Sequence, residues 1–143
     1  MKIKIINISG NPLPQYKSQG SSGMDLQASI DTSLILNPFE RKLIPTGISI
    51  ELPQGYEAQI RPRSGLSLKN GLTCLNSPGT IDSDYRGEIM VILINLSSEA
   101  FTIKNGDRIA QIVIAPYISV EWKESNRLNE NDRGKNGFGS TGI

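Results

Sequence analysis

The sequence predicts an all-β fold, and three observations carry that expectation. Apolar residues come in short runs or alternate with polar ones, the patterns of fully and half-buried strands. Gly and Pro interrupt them at fairly even spacing: Pro12, Pro14, Pro38, Pro45, Pro53-Gln54-Gly55, Pro78-Gly79, Asn105-Gly106 and Pro116. No stretch shows the 3.6-residue apolar period of a long amphipathic helix. Many short strands punctuated in this way argue for a distorted jelly roll, a β-barrel-like sandwich.

In chain order, residues 2–8 alternate imperfectly and suit a first strand. Residues 33–36, 43–52 and 56–60 follow as strands, then 88–96, 108–115 and 119–123. The single helical candidate is 64–71, with Ser64 suited to the N-cap and Gly71 to the left-handed residue that ends a helix. From residue 125 the chain is polar and charged, then glycine-rich, and cannot bury enough apolar surface to order itself. The expected organisation is one β-domain over 1–124 and a flexible tail over 125–143, with no internal repeat.

A chain of 143 residues supports one modest core. Its net charge of +1 provides no basic field for a nucleic-acid backbone. The longest apolar run is far too short to span a bilayer, and residues 1–6 lack the core and cleavage site of a secretion signal. Neither nucleic acid nor membrane is therefore expected as a partner. The chain contains no histidine, which excludes Ser-His-Asp and Cys-His nucleophilic catalysis. Zinc sites need His or several Cys, and only Cys74 is present. Cys74 lies in the apolar setting Leu72-Thr73-Cys74-Leu75 and reads as a buried small hydrophobe in a reducing, cytoplasmic compartment.

The densest chemistry lies between Leu75 and Glu88. The turn cluster Asn76-Ser77-Pro78-Gly79 stands between strand-like residues and reads as a hairpin that offers backbone N–H and C=O groups to a small flat ligand. Asp82 and Tyr85 then stand beside that ligand. In Arg61-Pro62-Arg63-Ser64-Gly65, a hydroxyl beside a cation and free N–H groups suits a phosphate oxygen, although on this motif alone a simple helix cap at Ser64 and a salt bridge at Arg63 are the favoured explanation, because caps are common. Asp25, in Gly23-Met24-Asp25-Leu26, either caps a turn or holds Mg2+ through water, since that ion keeps several waters and few protein ligands. Arg108 and Gln111 belong either to a solvated strand edge or to a site, and an unpaired amide at Gln111 would be costly inside an apolar run. In the tail, Phe138 is a lone aromatic among glycines, with Arg133, Gly139, Ser140 and Thr141 around it. That pattern suits a flap whose ring stacks on a base while its Arg, hydroxyls and N–H groups hold phosphates.

Five segments in order resemble the motifs of the trimeric deoxyuridine triphosphate nucleotidohydrolases, the dUTPases. They are residues 22–28, 61–66, 76–87, 106–111 and 133–142, and the third and fifth are the most specific. The resemblance implies dUTP as substrate and dUMP plus pyrophosphate as products. It implies that Asn76, Gly79, Thr80 and Ile81 read uracil, that Met90 lines the pocket floor or belongs to strand core, and that Tyr85 packs under deoxyribose. It implies that Asp82 orients and deprotonates the attacking water, and that Arg63, Ser64, Gly65, Gln111 and Arg133 hold phosphate oxygens. Arg108 either joins them or braces a neighbouring subunit. Phe138, Gly139, Ser140 and Thr141 form the lid. Mg2+ is the implied cofactor, held by the triphosphate and by waters bonded to Asp25, and a homotrimer with shared sites is the implied assembly. A dCTP deaminase of the same fold and a non-catalytic nucleotide-binding module are the rival readings.

Overall fold

The computed structural model describes residues 1–137, so Phe138, Gly139, Ser140 and Thr141 lie outside the described residues. The chain runs through β1 (Lys4–Asn7), β2 (Gly23–Gln27), β3 (Leu34–Leu36), β4 (Arg41–Pro45), β5 (Ile48–Glu51) and β6 (Tyr56–Arg61). Then come α1 (Ser64–Asn70), β7 (Leu72–Cys74), β8 (Gly79–Ile81), β9 (Met90–Asn95), β10 (Phe101–Ile103) and β11 (Arg108–Pro116). All pairings are antiparallel. Two sheets have two strands, β1-β5 and β10-β3; one has four, in the order β2-β11-β6-β8; one has three, β4-β9-β7. No barrel closes among the described residues. No described helix is long and apolar enough to cross a membrane.

The apolar run expected as one strand over 43–52 is two strands in two sheets. It breaks at Pro45-Thr46-Gly47, where Pro45 has no N–H to donate and Gly47 takes φ +66. A Cβ on Gly47 would stand 2.6 Å from the Ser9 Cβ, so this turn also packs tightly on the N-terminal segment. The helix forms where expected, but Ser64 is its first residue and not its cap. Arg63 holds the cap position in extended backbone, with no side-chain cap bond. Gly71 does end the helix in the left-handed region, its N–H directed at the Leu66 and Ser67 carbonyls.

Residues 119–123, also expected as a strand, form none. Their alternation suits a strand, but a strand needs a ladder partner and these residues have none among the described residues. Ile118, Val120 and Trp122 stand 89%, 67% and 92% exposed, too much apolar surface for a segment that ends its packing here.

The core is aliphatic, with Leu26, Leu36, Ile44, Leu72, Ile89, Val91, Leu93 and Ile103 almost fully buried. Each such side chain contributes about 1.5–3 kcal/mol by leaving water. On β9 the strand period directs Val91, Leu93 and Asn95 inward and leaves Met90 on the outer face. Asn95 is fully buried and fully bonded. Its Nδ2 donates to the Leu36 and Glu99 carbonyls at 3.0 and 2.7 Å, and its Oδ1 accepts from the Ser97 N–H and hydroxyl at 2.9 and 2.8 Å.

Burial pushes the Cys74 thiol up to about 11. The folded chain therefore keeps this proton to higher pH than the unfolded chain, where the thiol titrates near about 8.5. Stability contributed by the neutral thiol is complete below that unfolded value and is lost as pH rises through about 11. At pH 8 a thiol reagent should leave Cys74 unmodified in the folded protein and modify it promptly in urea; equal rates in both states would contradict the burial.

Candidate active site

The first part of the site is a cleft on the chain that joins β8 to β9. Its turn cluster is not the loop of a hairpin: β8 pairs with β6, Thr80 opposite Gln59, while β7 pairs with β9. Residues 75–78 carry the chain from one sheet to another. Their composition specifies a turn but not the strands that flank it, which is why the sequence suggested a hairpin. The Asn76 amide rests on Gly79, where a Cβ would stand 3.1 Å from Nδ2. Beyond it, Thr80, Ile81, Asp82, Tyr85 and Met90 line one cleft of about 290 Å³ together with Leu43 and Glu88.

The loop from Asp82 to Glu88 is braced from within. The Tyr85 N–H donates to the Asp82 carbonyl at 3.2 Å. Arg86 Nη1 donates to the Ser83 and Tyr85 carbonyls at 2.7 and 2.8 Å. The Tyr85 hydroxyl donates to the Glu88 carbonyl at 2.9 Å, and its ring lies over Gly87. Glu88 Oε1 in turn accepts the N–H groups of Thr46 and Gly47 at 3.1 and 2.7 Å. The importance of Glu88 was invisible in the sequence, because nothing in it says that residue 88 meets the β4–β5 turn.

The second part is a cationic groove on the four-stranded sheet. In the β11 register Gln111 stands opposite Asp25 on β2 and opposite Arg61 on β6. Gln111 Nε2 donates to the Pro62 carbonyl at 3.0 Å, so the amide has its partner. Arg63 Nε donates to Asp25 Oδ1 at 2.8 Å, and Arg108 Nη1 to Oδ2 at 3.3 Å. The Asp25 and Arg63 side chains are 20% and 25% exposed, whereas Arg108 is 53% exposed. Water screens the Arg108 pair to well under about 1 kcal/mol, and the Arg63 pair is the stronger. Ser64 and Gly65 lie exposed at the first turn of α1, beside Arg63. Arg133 is exposed on a terminal turn, its Nε donating to the Asn136 carbonyl at 3.1 Å.

The cleft combines an apolar wall, a phenol and two carboxylates, Asp82 and a Glu88 already bonded to the Thr46 and Gly47 N–H groups, a setting for a flat polar ring beside a positioned water. The groove presents two guanidinium groups and a hydroxyl, which suit a polyanion. Arg63, Ser64, Gly65 and Gln111 do not contribute to the walls of the cleft. No three metal-ligating side chains gather among the described residues. Asp25 is a single carboxylate with each oxygen already accepting from a guanidinium. It fits a divalent ion that arrives with phosphate and water ligands of its own, and does not fit one held by protein alone.

An all-β chain with a carboxylate cleft and a row of guanidinium groups has parts that suit a phosphorylated ligand. A family model described as dUTPase matches residues 10–142, and the chain belongs to the dUTPase family. It is 58% identical over 143 residues to the deoxyuridine 5'-triphosphate nucleotidohydrolase of Finegoldia magna, covering 100% of both chains. To the enzyme of the same name from Cytophaga hutchinsonii it is 57% identical, covering 98% of this chain and 91% of the relative. Among solved structures it is similar to the Staphylococcus bacteriophage 80alpha dUTPase with dUpNHpp, at TM-score 0.85 and 25% identity, with 99% of each chain covered. It is also similar in fold to a phage phi11 dUTPase in which a structural Mg(II) ion is coordinated (TM-score 0.81, 22% identity, 91% of this chain and 100% of that one).

A Cβ at residue 23 would land on Gln111 Oε1, so the Gln111 amide would have to shift to admit it. Gly23→Ala should fold but displace the Gln111 amide from the Pro62 carbonyl, at a cost of about 1 kcal/mol in urea unfolding. Unchanged stability with the amide still on Pro62 in a crystal structure would contradict this packing.

Proposed function

We propose that the chain hydrolyses dUTP to dUMP and pyrophosphate by in-line attack of water on the α-phosphorus. The observation that carries this reading is the sharing of one cleft by Thr80, Ile81, Asp82, Tyr85 and Met90 in a member of the dUTPase family. Asn76, Gly79, Thr80 and Ile81 receive uracil, with Met90 as floor, and the Tyr85 ring packs under deoxyribose. A 2′-hydroxyl is excluded by lack of room, and a rigid wall can reject an added group more strongly than a missing contact can.

Asp82 orients the water and takes its proton. A carboxylate is a weak base, so most of the barrier reduction comes from positioning and from neutralising phosphate charge. Arg63, Ser64, Gly65, Gln111 and Arg133 hold phosphate oxygens, with Phe138, Gly139, Ser140 and Thr141 as the lid. Mg2+ held by the triphosphate, and by Asp25 through water, supplies further charge neutralisation when bound.

The active assembly is a homotrimer with shared sites. Two observations support it: Arg63, Ser64, Gly65 and Gln111 stand outside the walls of the base cleft, and the apolar side chains of Ile118, Val120 and Trp122 are exposed, with no partner strand among the described residues. The biological role is to lower dUTP and to supply dUMP for thymidylate synthesis, in the cytoplasm.

With Mg2+ and either dUTP, dCTP, dTTP or UTP, dUMP and pyrophosphate should form rapidly from dUTP alone. Asp82→Asn should bind dUTP with little change and lose at least about 10³-fold in turnover. Ammonia from dCTP, no turnover of dUTP by the folded protein, or an active Asp82→Asn would each overturn the reading.

A further inference from the structure

We propose that Gly87 and Glu88 are positioning residues that set sugar selectivity by fixing the Tyr85 ring, an inference that rests on the proposed dUTP hydrolysis. Tyr85 is 44% exposed and stands on a loop, so packing alone does not hold it. A side chain that excludes a hydroxyl by lack of room must not move, since a displacement of about 1 Å would admit it.

Two contacts remove that freedom. The ring lies directly over Gly87, where a Cβ would collide with the Tyr85 hydroxyl and the ring carbons beside it. The hydroxyl itself donates to the Glu88 carbonyl. Residue 88 cannot drift, because its carboxylate is tied 42 and 41 positions back in the chain to the N–H groups of Thr46 and Gly47. Thr46 is buried and is anchored again by its own hydroxyl, which donates to the Ile89 carbonyl at 2.6 Å. Thus the β4–β5 turn, Glu88 and Tyr85 form one rigid chain of bonds that ends in the cleft. One oxygen, Oε1, accepts both N–H groups, so the brace needs an acceptor and not a charge.

The test is the ratio of kcat/KM for dUTP to that for UTP, a quantity that a general loss of folded protein does not move. Gly87→Ala should lower the ratio at least about tenfold. Glu88→Gln, which keeps the acceptor, should hold it within about twofold, whereas Glu88→Ala should lower it as Gly87→Ala does. Should Glu88→Ala fail to fold for want of partners to two buried N–H groups, Gly87→Ala carries the test alone. A selective wild type with an equally selective, folded Gly87→Ala variant would overturn the inference and leave dUTP hydrolysis intact. Loss of selectivity in Glu88→Gln would overturn the brace as drawn. A wild type that does not turn over dUTP would remove the parent reading and this one with it.

Discussion

The anion groove of this chain hangs on the double pairing of β11. It is the longest strand, and it bonds β2 along one edge and β6 along the other. Because strand register is strict, this one ladder brings Asp25, Gln111 and Arg61 into a single row from three distant parts of the chain. Arg63 follows two residues after the row and closes on Asp25. A one-residue slip would turn Gln111 into the core and Ile112 outward, and the aliphatic packing of Ile112 resists that. Hydrophobic burial therefore fixes the anion groove indirectly, through register, and no electrostatic attraction among the groove residues is needed to assemble it.

The cleft is organised differently. Its strand β8 is only three residues long, and its key residues Asp82 and Tyr85 stand on a loop. Backbone hydrogen bonds along that loop, the Arg86 guanidinium and the Glu88 carboxylate replace the ladder that a longer strand would provide. A groove held by sheet register and a cleft held by loop bonds are two rigid units with different supports. The groove residues Arg63, Ser64, Gly65 and Gln111 stand outside the walls of the cleft, which supports the proposed site completed between subunits.

Much of this was legible in the sequence. Strands at 33–36, 56–60 and 108–115 appear within a residue or two, because apolar runs bounded by Gly and Pro leave little choice. The left-handed Gly71 was equally plain. What stayed hidden depends on distant partners. Whether 43–52 is one strand or two depends on Ser9 and Glu88 reaching the turn at Gly47. The strands β7 and β10 are too short to carry a period, and the strand expected at 119–123 has no partner among the described residues. At the site, the sequence placed Thr80, Ile81, Asp82 and Tyr85 close together, and Met90, open to either role, stands on the outer face lining the same cleft. Sequence could not show that Asp25 is shared by two arginines, or that Glu88 accepts the N–H groups of the β4–β5 turn, since both are contacts between distant parts of the chain.

The most direct test of the central claim is complementation between two inactive variants. Asp82→Asn and Arg63→Ala should each be inactive alone. Refolded together in equal amounts, they should recover about a quarter of wild-type activity, the share of sites that random assembly leaves with an intact Asp82 from one chain and an intact Arg63 from another. Activity no greater than that of the separate variants would mean that cleft and groove act within one chain, and would contradict the account.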